Sequence, residues 1–457
     1  MPALGHYIME PTATEATPTE QKNPFRAYSI SWNLTKRCNL NCDHCYLDAD
    51  FRGGFRTDEL NTEECFRVVD QIAEVNPNAF LILTGGEPLL RPDIYEIIKY
   101  ASDRKFMVVL GTNGTMINRE NAKKIKEAGA HGVGISIDSM LAEKHDKFRG
   151  VESAWQKSMD AFDILNEVGV DFLIQMSVSD MNYKEIPDVI KFAEKIGAVA
   201  FNLYFLVCTG RGQGNTDISN AAYEEALKIL YAEQMKYKGK LMINSKCAPQ
   251  YKRVVYENDK DSVYQRTYSG GCPAGTHYSR ISPEGNLTPC PFIEESVGNL
   301  KTDTFKNLWE TAPLMVKLRD REQLEGKCGT CEFSAMCSGC RARAFADTGN
   351  YMAEDNSCDY EPGQHGGKAI ELKIEDTLGL EVEYRQKWTD EAKSRLDRIP
   401  SFARGMVVQG IEKFATERGV ALIDEQVVQK SREEMITKRG AMFPFLKKFI
   451  NSEKLDA

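Results

Sequence analysis

Histidine is scarce in this chain, six in 457 residues, which disfavours metal sites built chiefly on imidazole. Long apolar runs are missing as well. No stretch reaches the roughly 18 residues needed to span a bilayer, so no membrane span is expected. A basic excess is absent too: the formal net charge is −9, which gives no broad attraction for nucleic acid or anionic lipid. The N-terminus has no basic segment followed by an apolar one and does not read as a secretory signal. A reducing, cytoplasmic setting is therefore expected. Residues 1–26, rich in Thr, Glu and Pro, read as a disordered tail.

What the chain does have is thirteen cysteines, and in a reducing compartment clustered thiols point to metal before disulfides. Cys38, Cys42 and Cys45 form a C-x3-C-x2-C set near the front. Cys272, Cys290, Cys328, Cys331, Cys337, Cys340 and Cys358 crowd the rear, with Cys247 a little upstream. Three thiolates can hold a cubane iron–sulfur cluster by three corners and leave one iron open, and an open metal position is where chemistry happens. Cys65 lies in a helical pattern and Cys208 at a strand end, so both read as small buried residues.

Between Tyr28 and Met235 short apolar runs alternate with amphipathic helical stretches. Strand candidates are 28–34, 79–84, 105–111, 132–138, 170–178 and 198–207. The stretch Thr62–Glu74 puts Phe66, Val69, Ile72 and Ala73 on one helical face. Six β–α units in succession imply a parallel sheet with right-handed crossovers, and strands this apolar fit an α/β partial barrel, (β/α)6 and TIM-like. Near Asn244 the pattern turns to loops rich in Gly, Pro and Cys, a segment expected to draw its stability from metal more than from a core. The expected division is a barrel over 27–238, a cysteine-rich unit over 239–365, a linker over 366–386 and a small helical unit over 387–457. In the last, Thr389 and Ser401 are expected to cap helices, with Phe402, Met406, Ile411 and Phe414 on one face of the second.

The front triplet follows the first strand directly, and the second strand ends in Thr84-Gly85-Gly86-Glu87-Pro88. In these segments the chain resembles the radical S-adenosylmethionine (SAM) superfamily, with His44 at the aromatic position of its cysteine motif. The resemblance implies that SAM chelates the open iron of a [4Fe–4S] cluster held by Cys38, Cys42 and Cys45, and is cleaved to a 5′-deoxyadenosyl radical. It also implies SAM contacts at His44, Gly85, Gly86, Glu87, Asn113, Ser136, Asp138 and Arg149, with Gln175 a weaker candidate. Glu87 would accept from the SAM ammonium, Arg149 would take its carboxylate and Asp138 its ribose hydroxyls. The rear cysteines resemble the SPASM extension of this superfamily, which holds one or two auxiliary iron–sulfur clusters. Carried over by motif, Cys328, Cys331, Cys337 and Cys358 would hold one cluster and Cys272, Cys290 and Cys340 the other, with Cys247 or substrate as its fourth ligand. A zinc ribbon is the alternative, since C-x2-C pairs also bind zinc.

A closer resemblance, carried by LLRPDI (89–94), HDKFRG (145–150), TGRG (209–212), KCAP (246–249) and CSGCRARA (337–344), is to the radical SAM enzymes of the alternative haem and haem d1 pathways. It implies an oxidoreductase that trims or oxidatively decarboxylates side chains of an iron-coproporphyrin or sirohaem-derived tetrapyrrole, fed by a reducing donor such as flavodoxin or ferredoxin. Such a disc with a carboxylate rim calls for an aromatic slot edged by cations. Arg211, Lys252, Arg253, Arg341 and Arg343 are the candidates, and Cys247 or Tyr251 could approach the haem iron. Residues 388–428 are similar to the helical end of a protochlorophyllide reductase subunit, whose substrate is also a tetrapyrrole. Two other readings stay open: a SPASM enzyme that matures peptides or proteins, and a non-catalytic iron–sulfur electron carrier.

Overall fold

The computed structural model describes residues 25–212, 218–397 and 399–439. Most of the expected tail, 1–24, and the end of the C-terminal segment, 440–457, lie outside the described residues. The six apolar runs form β1 (Ser29–Asn33), β2 (Phe80–Thr84), β3 (Met107–Thr112), β4 (Gly132–Ser136), β5 (Phe172–Val178) and β6 (Ala200–Phe205). Each pairs in parallel with the next. The helices between them bury one stripe apiece, as in Thr62–Val75, where Cys65, Val68, Val69 and Ile72 face the sheet. That helix starts where the sequence says it should: Asn61 and Glu64 form a reciprocal capping box.

Strand alternation then sets the character of the interior. On β2, Leu81 and Leu83 are buried under helices while Phe80, Ile82 and Thr84 are half-buried. On β5, Ile174 and Met176 are buried while Leu173, Gln175 and Ser177 are half-buried. One face sealed by helices and the other half-open is what a sheet curled round a lumen produces.

Four more strands extend the sheet: β7 (Met242–Lys246), β8 (Tyr278–Ile281), β9 (Asn286–Thr288) and β10 (Gly298–Asn299). The order is β10-β9-β8-β1-β2-β3-β4-β5-β6-β7. Met242–Lys246, which the sequence pattern places beyond the barrel, is thus its seventh parallel strand. Tyr278 on β8 and Tyr204 on β6 lie within electrostatic reach of each other although five strands separate theirs in the sheet. At about 4.8 Å per strand a flat sheet would hold them some 30 Å apart, so the sheet closes on itself as a partial barrel.

The rear segment is more helical than its composition predicts. Tyr251–Asn258, Phe305–Thr311, Pro313–Arg319 and Arg341–Thr348 are helices, and Phe305, Trp309 and Met315 join the apolar core of the barrel. Trp309 Nε1 donates to the carbonyl of Phe25 at 2.8 Å, so the last residues assigned to the tail are packed. The expected linker is docked: the Ile370 N–H donates to the Glu332 carbonyl, and Thr377–Leu378 pairs in parallel with Thr267–Tyr268.

In the C-terminal unit Thr389 caps Asp390–Leu396 as expected. Ser401 does not cap the next helix, Ser401–Glu417. Pro400 occupies the cap position, and the Ser401 hydroxyl donates instead to the carbonyl of Asn78 at 2.7 Å, fastening the helix to the barrel. Of the expected face, Met406 and Ile411 are buried while Phe402 and Phe414 are half-buried. No helix among the described residues is long and apolar enough to cross a membrane.

Candidate active site

The loop after β1 carries Cys38, Cys42 and Cys45. Its base is pinched shut, with Asp50 N donating to Lys36 O at 2.8 Å and Arg52 N to Cys38 O at 2.7 Å. Neighbours then press on it from outside. A Cβ on Gly86 would overlap the carbonyl of Arg37, and one on Gly150, at φ +70°, would overlap that of Asn41. Only glycine lets those backbones come so near. Leu40 N points at Cys38 Sγ and Ala49 N at Cys45 Sγ, both at 3.4 Å, and Arg149 Nη1 lies 3.8 Å from Cys42 Sγ. Burial pushes the Cys38 thiol up to about 12 and raises that of Cys42. His44 stacks on Phe148 with ring centroids 3.9 Å apart, and burial drives its imidazole down to about 3, so the ring is neutral.

The residues expected to contact SAM surround this loop, but several are committed to one another. Glu87 is fully buried. Its carboxylate accepts from the Thr112 hydroxyl at 2.8 Å, Asn113 N at 3.0 Å and Leu89 N at 3.1 Å. Burial lifts it to about 7 against those donors. With these donors Glu87 also brackets the β2 and β3 loops. Asp138 and Arg149, expected to serve ribose and carboxylate separately, pair with each other at 2.6 Å. Burial opposes ionisation of Asp138, yet Arg149, His145 and His44 together outweigh burial and hold the carboxyl below its ordinary value. Asp138 also accepts from Ser177 N at 3.0 Å. Asn113 donates to Asn39 Oδ1 at 2.8 Å, and Ser136, at the end of β4, sits half-buried in register with Gln175 midway along β5.

The rear cysteines gather in two fours. Cys328, Cys331, Cys337 and Cys358 line one cavity of ≈ 340 Å³, counted with its open mouth, together with Lys327, Phe333 and Tyr360. Cys247, Cys272, Cys290 and Cys340 lie within electrostatic reach of one another in a separate apolar cluster. Cys247 adopts φ +59°, unusual for a non-glycine residue. Backbone amides of Phe333, Gly339 and Asp355 point at Cys331, Cys337 and Cys328 sulfurs at 3.4–3.5 Å. Asp355, which no motif singles out, joins the two groups: its own N–H faces Cys328 while its carboxylate accepts from Cys340 N at 2.7 Å.

The five cations expected at a substrate rim are each engaged within the protein, although Arg211 Nη2 and Arg253 Nε are buried without a hydrogen-bond partner among the described residues. Arg211 donates to the carbonyls of Cys42 and Ala49, Lys252 to those of Tyr264 and Arg266, and Arg253 pairs with Glu224 and Glu257. Arg341 holds the carbonyls of Tyr351 and Ala353, and Arg343 holds Asp355 with the carbonyls of Leu206 and Cys247. Tyr251 is packed into the barrel core, its hydroxyl on Gln234. Near the Cys45 end of the front loop lie instead Asn33, Tyr46, Tyr204, Tyr278 and Arg280, none expected as site residues, with Lys246 in register with Tyr204.

The comparisons agree with this geometry. Residues 32–193 match the Radical SAM superfamily, 272–332 an iron-sulfur cluster-binding domain named SPASM, and 388–432 the proto-chlorophyllide reductase 57 kD subunit. An AdoMet-dependent heme synthase of Methanosarcina barkeri is 39% identical over 73% of this chain and 97% of its own length. The chain belongs to the radical SAM superfamily. A pre-heme d1 synthase of Dinoroseobacter shibae is 32% identical over 75% of the chain and 88% of its own length. Streptococcus suis SuiB bound to S-adenosylmethionine shares the fold with a TM-score of 0.61 at 17% identity, over 73% of this chain and 78% of its own.

A radical SAM protein needs sulfur donors set apart around a common space, and these loops provide them. All thirteen cysteines are free thiols. Among the described residues no three His, Cys, Asp or Glu converge as ligands of a single ion do; the corners of a multi-iron cube do not require it. Amides aimed at the sulfurs are the hydrogen bonds by which a protein tunes such a cluster.

Proposed function

We propose that this radical SAM enzyme modifies the carboxylated side chains of an iron tetrapyrrole of the coproporphyrin or sirohaem-derived class. The observation that carries the reading is the match to a heme synthase across 97% of that protein's length. Polar and aromatic residues near the Cys45 end of the front loop, Asn33, Tyr46, Tyr204, Tyr278 and Arg280, support it. In this reading Cys38, Cys42 and Cys45 hold the cluster that binds SAM, beside His44, Gly85, Gly86, Asn113 and Ser136. Bound there, SAM supplies a hydrogen-abstracting radical on reduction. Arg149 carries a second guanidinium nitrogen toward Cys42, and Asp138 fixes its orientation. Glu87 steadies the loops on which Asn113 and the glycines sit.

The two rear fours, with Cys247 completing the inner one, hold auxiliary clusters that accept the electron left after hydrogen abstraction. A cytoplasmic flavodoxin or ferredoxin fits as the donor. Anaerobic turnover with SAM, reductant and iron-coproporphyrin III tests the proposal: it predicts 5′-deoxyadenosine and a product lighter by the mass of the groups removed. Deoxyadenosine without any porphyrin mass change, alongside a mass change in a peptide, would favour a peptide-maturing role. No SAM cleavage at all would leave an electron carrier.

A further inference from the structure

Buried cations in proteins are nearly always paired or capped by several acceptors: Arg211, Arg253 and Arg343 have carboxylates, and Lys252 and Arg341 are each capped by two carbonyls. Two further cations have neither. Lys246, at the end of β7, stands in register with Tyr204 on β6. Among the described residues its ammonium has neither a hydrogen bond nor an ion pair, and it is half-buried in a recess that depresses its pKa by desolvation. Arg280 shares one face of β8 with Tyr278 and lies against Ser31 of β1. Its Nε donates to Asn33 Oδ1 at 2.5 Å, and no carboxylate pairs with its guanidinium among the described residues. The same Asn33 donates to the Tyr46 hydroxyl at 2.9 Å, so Arg280 is held one residue from the Cys45 end of the front loop.

Around these two lie aromatic faces. Tyr46 packs on Phe292 with centroids 5.3 Å apart and is in electrostatic reach of both Arg280 and Cys247. Tyr204 and Tyr278 lie near each other and near Tyr46. We propose that Lys246 and Arg280 form a carboxylate-binding subsite in the barrel lumen, holding acidic side chains of a flat aromatic substrate against Tyr46, Tyr204 and Tyr278. The proposal rests on the tetrapyrrole reading and deepens it, by naming which residues take the substrate's carboxylates. Arg280 has its fork fixed by Asn33 and two further nitrogens with no hydrogen bond among the described residues, the geometry a carboxylate accepts. Lys246 offers a mobile point charge across the lumen.

The test uses the reconstituted holoenzyme and two probes, iron-coproporphyrin III and its tetramethyl ester, followed by Soret titration. Wild type is expected to bind the acid more tightly than the ester. Lys246→Met and Arg280→Met are each expected to weaken the acid about 10- to 100-fold, as loss of a hydrogen bond to a charged group does. Ester affinity and iron per chain should stay as in wild type, and Lys246→Arg should retain acid binding. Equal acid affinity in both Met variants and wild type would overturn the subsite. So would a loss shared equally by acid and ester, which would mark the cations as structural or as counter-charges to Cys247. If wild type binds neither porphyrin, the tetrapyrrole reading fails and takes the subsite with it, an outcome distinct from the other two.

Discussion

Asp355 is where the account is most exposed to a single substitution. The residue is fully buried. Its carboxylate accepts from Cys340 N at 2.7 Å, Gln250 Nε2 at 2.6 Å and Arg343 Nη1 at 3.3 Å, while its N–H serves Cys328. Replacing it with alanine strands the Arg343 charge, at a cost of roughly 3–5 kcal/mol. The Cys340 amide and the Gln250 amide lose their acceptor as well, at about 1–3 kcal/mol each before relaxation. The combined loss is comparable with the whole stability of an ordinary domain, about 5–15 kcal/mol. Anaerobically reconstituted Asp355→Ala should therefore retain iron at the front loop and lose it from both rear fours, with a lower melting temperature. Asp355→Asn keeps an oxygen acceptor and should fall between. If Asp355→Ala kept full iron and melted within about 1 kcal/mol of wild type, the claim that this carboxylate ties the two groups together would be refuted.

Gly86→Ala forces a methyl into the Arg37 carbonyl; the front loop should shift and lose its iron while the rear iron remains, read as iron per chain against a variant lacking the three front cysteines. Arg149→Met leaves Asp138 buried without its partner, so stability should drop by roughly 3–5 kcal/mol and SAM affinity, measured by calorimetry, should fall; Arg149→Lys should recover the first better than the second. Glu87 gives a pH signature. Its folded pKa of about 7 lies above its ordinary 4.5, so the native state holds a proton that the unfolded chain has released, and stability falls as pH rises between those values, by about 3 kcal/mol. Denaturant unfolding at pH 5 and pH 8 should show that fall in wild type and little of it in Glu87→Gln.

Strand positions were legible because apolar, β-branched runs such as Phe80–Thr84 and Phe172–Val178 have no other home than a sheet covered by helices. The front loop was legible because its chemistry sits within eight consecutive residues, from Cys38 to Cys45. Strand Met242–Lys246 was not, since its lumen face carries Asn244 and Lys246 and its sequence lacks a clean apolar run. The rim cations were misjudged for a related reason. An arginine's partner is usually remote in sequence, as Arg343 is from Leu206 and Arg253 from Glu224, and only the fold reveals which charges are already spent. The lumen residues did leave a signal: period-two alternation on β5, β6 and β7 places Gln175, Asn202, Tyr204, Asn244 and Lys246 on the face opposite the helices.

Electron paramagnetic resonance of the reduced, iron-replete protein, recorded with and without SAM, addresses the open-iron assignment most directly. The account predicts that SAM alters one cubane signal, that Cys38→Ala with Cys42→Ala and Cys45→Ala abolishes that response, and that the signals of the rear fours survive. A response to SAM that persists without the three front cysteines, or protein that takes up zinc and no iron, would contradict it.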